Sequence, residues 1–204
     1  MKTEFSLPEI NHLICAADGI EDPATREGRY QKLRVLYQKG LLVPINEVSR
    51  GKVAKYTLAG VCEASIALEL TRKGMTDGLL RQVFADIRGG ETRHRHKLPD
   101  GMHNPEIWNS EAVFSSIWTT GGLWRLTIWT FDKPDDTYDV SALLHPWSDG
   151  LNQDDIRLRA MEIVPESFTE ESRLGKPGLT YTMDLRYHTV ALMNEIARQY
   201  EKGD

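Results

Sequence analysis

The punctuation of residues 1–60 constrains the fold more than any other feature of the chain. Ser6 is a good helix N-cap, with Pro8 and Glu9 in the turn that follows. Leu7, Ile10, Leu13 and Ile14 then recur at helical spacing, and the pattern breaks at Asp18-Gly19. A polar connection over 19–28 contains Pro23. A second helix is expected from residue 25 or 29 to 39, with Tyr30, Leu33, Leu36 and Tyr37 on its apolar side and Gly40 as its stop. Leu41-Leu42-Val43-Pro44 is extended, Ser49-Arg50-Gly51-Lys52 is a turn sequence, and 53–57 reads as a strand. Residues 45–57 are thus expected to form a small hairpin with a basic tip.

Beyond this point the spacing predicts a helix over 58–73, stopped by Gly74, and another begun at Thr76 or Asp77 that runs through Leu79, Leu80, Val83, Phe84 and Ile87. Residues 89–111 are broken by Gly89-Gly90, Pro99, Gly101 and Pro105 and read as a linker. The β-branched and aromatic segments 113–119 and 123–131, joined by Thr120-Gly121-Gly122, carry a hairpin signal. Residues 137–144 and 180–183 are expected to be extended, and 155–164 fits strand or helix, with the alternation of Ile156, Leu158 and Ala160 with Arg157 and Arg159 favouring strand. Residues 184–202 read as a helix with Leu185, Leu192, Met193, Ile196 and Tyr200 on one stripe. The fold class expected is α+β. A winged helix-turn-helix domain (1–88) is followed by a linker (89–111) and a β-rich regulatory or dimerisation domain (112–204) closed by the C-terminal helix.

Charge separates the two halves. The chain carries a net −5, but residues 1–103 sum to +3 and residues 104–204 to −8. Residues 26–60 hold eight basic residues against Glu27 and Glu47. A local excess of that size suits a phosphate-facing surface, although a solvated face can also carry it. Helix, turn, helix and basic hairpin suit duplex DNA: one helix enters the major groove, the other supports it, and the hairpin tip reaches the flanking backbone. Arg29, Gln31 and Lys32 on the second helix and Lys52 and Lys55 on the hairpin are the candidate contacts on these grounds.

Leu33-Arg34, then Gly40-Leu41-Leu42 and Pro44, resemble the corresponding stretch of MerR-type regulators, and the likeness runs over residues 5–88. The resemblance implies sequence-specific DNA binding that regulates transcription, with Arg34, Arg50 and Tyr56 as further DNA-contacting positions. The chain departs from the family in a longer connection before Leu33 and in Val35-Leu36 where a tyrosine pair is expected. The family's long dimerising helix is not evident after Ile87.

Other chemistries are less well supplied. His94, His96 and His103 lack the cysteines or carboxylates of a zinc site. Trp118, Trp124, Trp129 and Trp147 suit a core more than a ligand pocket, and His145 with Asp149 lacks a nucleophile signature, a P-loop or a dinucleotide fingerprint. Cys15 and Cys62 read as small buried hydrophobes. No apolar run approaches the ~20 residues of a membrane helix. The reading is therefore a cytoplasmic, non-enzymatic regulator without a cofactor. Its expected partners are double-stranded DNA, a second copy of the chain, and a small molecule or protein at the C-terminal domain. The alternatives are a phage or plasmid replication or excision factor and an adaptor whose winged helix binds protein.

Overall fold

The computed structural model describes residues 4–46, 52–88, 109–121, 124–132, 138–146 and 177–200. Within them the chain is α+β, with six helices, a two-stranded sheet and a three-stranded antiparallel sheet. It divides into two compact units, residues 1–80 with 185–204, and residues 81–184.

The first unit opens with β1 (Phe5–Ser6), α1 (Leu7–Ala17) and α2 (Pro23–Gln38). Ser6 caps α1 through a capping box: its backbone N–H donates to Glu9 Oε2 at 2.8 Å. Asp22 caps α2, accepting from the Thr25 backbone N–H at 2.8 Å, with Pro23 already shaped for the first turn. Gly40, at φ +68°, ends α2. The N–H groups of Gly40 and Leu41 close back on the carbonyls of Tyr37 and Leu36, and Leu41 is driven into the core. β2 (Lys55–Tyr56) then pairs antiparallel with β1, placing Phe5 opposite Tyr56. α3 (Leu58–Arg72) follows, and α4 (Asp77–Arg88) begins in this unit. Phe5, Ile10, Leu13, Leu33, Tyr56, Val61, Ile66 and Leu70 are among its buried side chains.

The C-terminal helix, α6 (Leu185–Tyr200), belongs to this first unit. It packs on α1 and α3, and Tyr200 meets Phe5 edge-to-face with ring centroids 5.9 Å apart. The sequence-based expectation had assigned it to close the sheet. Leu185, Leu192, Met193 and Ile196 are indeed buried, but an apolar stripe specifies that a helix packs without naming what it packs against.

The second unit contains the rest of α4, α5 (Ser110–Thr120), and strands β3 (Trp124–Asp132), β4 (Tyr138–Pro146) and β5 (Pro177–Asp184) in the order β4-β3-β5. α5 corrects the expected strand over 113–119. Asn109 caps it by accepting from Ala112 N–H at 2.8 Å, and Gly121 stops it at φ +66°. The hydroxyls of Thr119 and Thr120 donate to carbonyls one turn back, at 2.9 and 2.8 Å, so these polar groups are satisfied within the helix despite the strand preference of the residues. β3 instead pairs with β4 and β5. It is the central strand, and Leu126, Thr127, Ile128 and Trp129 are all buried, so both of its faces are covered. α4 closes the β4 edge: Gln82 Oε1 accepts from Val140 N–H at 3.0 Å and Asp86 Oδ2 from Ala142 N–H at 2.9 Å. Two acceptors four residues apart on a helix thus meet two donors two residues apart on a strand.

The expected strand over 155–164, most of the linker over 89–111, and His94, His96, His103, Trp147 and Asp149 lie outside the described residues. No described helix is long and apolar enough to cross a membrane.

Candidate nucleic-acid interface

The surface in question is the outward side of α2 and the chain that follows it. Leu33 and Leu36 turn inward, so helical geometry carries Glu27, Gln31, Lys32, Arg34, Val35 and Gln38 outward, and all six are exposed. Gln31 Nε2 donates to Glu27 Oε1 at 2.5 Å, and Arg34 Nη1 donates to Gln31 Oε1 at 3.3 Å. This chain of hydrogen bonds lays out the amide and the guanidinium along one face, and exposed pairs of this kind are cheap to exchange for other partners. Val35, 42% exposed, places an apolar side chain among them. At the end of α2, Lys39 is held by the Asp77 carboxylate at the start of α4.

Ile45-Asn46 and residues 52–55, the two sides of a short arm, are joined in two ways. Ile45 N–H donates to Lys55 C=O at 2.8 Å. Asn46 clamps the opposite side, Nδ2 donating to Val53 C=O at 3.1 Å and Oδ1 accepting from Lys55 N–H at 2.7 Å. Lys52 and Val53 are exposed and Lys55 is half-buried. Arg50 lies outside the described residues. The clamp was missed at the sequence level, although an asparagine nine residues before a strand is the kind of side chain that bridges a hairpin.

Gln31 and Arg34 therefore share one exposed face, Lys32 is exposed on its flank, and Lys52 and Lys55 lie on the arm, but two sequence candidates are placed elsewhere. Arg29 lies on the inward-turning side of α2, where the Asp18 carboxylate at the end of α1 holds its guanidinium. Two residues separate it from Gln31, and two residues rotate a helix by about 200°. Tyr56 is 1% exposed and belongs to the core. Its phenol finds no hydrogen-bond partner among the described residues, and burial pushes its pKa above the ordinary value. It supports the surface from below: a Cβ on Gly60 would come within 3.1 Å of the Tyr56 Cβ, so strand and helix approach closely here. The family resemblance had suggested Tyr56 as a contact, but the motif records the residue and not the direction of its ring.

Cys15 and Cys62 are buried and form no disulfide, as expected for small apolar side chains. Burial raises the pKa of the Cys15 thiol. Among the described residues no group of three or more His, Cys, Asp or Glu side chains is placed to hold a metal ion.

Comparison with known proteins finds no protein-family model that matches the chain, and no match among curated proteins.

Proposed function

We propose that the first unit is a winged helix-turn-helix that binds duplex DNA, and that the protein is a transcriptional regulator. In this reading α1 and α2 are the helix-turn-helix, α2 enters the major groove, and residues 45–55 are the wing. The observation that carries it is the outward face of α2: Gln31, Lys32 and Arg34 are exposed together on a helix flanked by a basic arm. Glutamine pairs with adenine and arginine or lysine with guanine at their major-groove edges, and an exposed valine suits a thymine methyl. The local excess of basic residues over 26–60 supports the same reading through phosphate contact. The acidic second half is left for regulation or self-association, and a dimer would read two half-sites.

The test is retardation of a genomic fragment library at low salt, followed by selection of the preferred site. Binding that weakens steeply with salt and converges on one sequence supports the proposal; no retardation of any fragment at low salt overturns it.

One observation favours a second reading. Val43, Ile45 and Val53 are all more than half exposed beside the arm, and such apolar residues suit a protein partner. An adaptor would bind that partner with undiminished affinity in high salt, where a DNA complex dissociates.

A further inference from the structure

The first unit carries an open cavity of about 450 Å³ between α1, α2, α3 and α6, on the side of α2 away from the exposed Gln31 and Arg34. That size falls within the range of small-molecule sites. Its wall carries charge of both signs in two pairs. Arg29 is held by Asp18, and Arg72 by both carboxylate oxygens of Glu69, at 2.7 and 2.8 Å. The Arg72 guanidinium, with His188 nearby, holds the Glu69 carboxyl below its ordinary pKa, so the carboxylate is charged at neutral pH. Ile20, Leu68 and Leu192 contribute apolar wall.

We propose that this cavity binds a small zwitterion with an aliphatic side chain, of which the branched-chain amino acids are the simplest members. A ligand carrying only negative charge would meet Asp18 and Glu69 along with the arginines, and one carrying only positive charge would meet Arg29 and Arg72 along with the carboxylates. A dipolar ligand satisfies both: its carboxylate accepts from a guanidinium while its ammonium donates to a carboxylate. Its branched side chain lies on the aliphatic wall. The charged groups are partly exposed, so the affinity is modest, with a dissociation constant of about 1 mM or tighter.

The site has a consequence that rests on the proposed function. Arg29 stands on α2, so a ligand that draws it from Asp18 acts on the helix assigned to DNA.

The experiment is calorimetric titration of the full chain with L-leucine, 4-methylpentanoate (no ammonium) and isopentylamine (no carboxylate). L-Leucine binds saturably, and each analogue binds at least tenfold more weakly. Arg72→Gln, at a largely exposed side chain, and Asp18→Asn, at a half-exposed one, are tolerated without unfolding, and each weakens leucine binding at least tenfold. No saturable leucine binding, an analogue as tight as leucine, or either variant binding like the parent overturns the site. Saturating leucine also changes affinity for retarded DNA about fivefold or more. Leucine binding without that change overturns the coupling and leaves the site standing. Should the protein retain no DNA, the titration alone decides the site.

Discussion

Tyr56 separates a motif residue from a functional one. Its ring is packed in the core and its phenol is buried without a partner among the described residues, which is a cost to folding. Tyr56→Phe removes the orphaned hydroxyl and keeps the ring. Its stability in urea is expected to equal or exceed the parent's by about 0.5–1 kcal/mol, with DNA affinity unchanged. A tenfold loss of affinity in that variant would return Tyr56 to the contact surface. The same phenol sets an alkaline limit. Its pKa is raised from 10.0 in the folded state, so above pH 10 the unfolded chain gives up a proton that the folded chain keeps. Stability then falls with rising pH by about 1.4 kcal/mol per unit until the folded-state pKa is reached. Tyr56→Phe abolishes this component, which denaturation at pH 10 and pH 11 would reveal. Arg29 teaches the complementary lesson. A basic residue near the helix start looked like a DNA contact, and helical rotation turned it toward Asp18 instead.

At the scale of elements, α2 and its glycine stop were legible because periodicity and a positive-φ residue are local signals, but its start was read at residue 25 or 29, and the Asp22 cap with Pro23 at the first turn sets it earlier. The strand expected over 113–119 failed because β-branched content outweighed Asn109 and Gly121, the caps that select the helix. Two predictions belong here. Lys52→Ala is expected to lower the salt dependence of DNA binding by about one phosphate contact, a slope change near 0.9, with site preference unchanged; Lys32→Ala is expected to change the preferred sequence. An unaltered slope for Lys52→Ala would remove the arm from the interface. Separately, Asp86→Ala leaves the Ala142 N–H without its acceptor beneath α4. It is expected to cost about 1–3 kcal/mol in thermal or urea unfolding of the residue 81–184 unit, while Gln82→Ala costs less because Gln82 is exposed.

For the whole molecule, the first and last segments of the chain form one unit, so the N-terminal part is not an independent piece. Without α6, a fragment of residues 1–80 exposes the apolar side chains that Leu192 and Ile196 cover. Such a fragment is expected to unfold with a shallow, non-cooperative transition or to aggregate. Adding a peptide of residues 181–204 should restore a cooperative one. A fragment that unfolds cooperatively alone would show that α6 is dispensable. Light scattering of the full chain tests the proposed dimer, and the stripe of α6 already occupied within its own unit is not available to form it.

Local order, charge and the positions of most helices were set by the sequence alone, because caps, stops and 3.6-residue periodicity act within one turn of the chain. The exposed trio Gln31, Lys32 and Arg34 was legible for the same reason: Leu33 and Leu36 fix which side of α2 is buried. Three features depended on tertiary structure: where α6 packs, which strands flank β3, and which face Arg29 serves. Each joins residues far apart in the chain, and an apolar stripe or a charge specifies that it needs a partner but not which one. The cavity belongs to this second group. Asp18, Arg29, Glu69, Arg72 and His188 lie on four different helices or their ends, and only the packing of those helices on one another brings them to one wall.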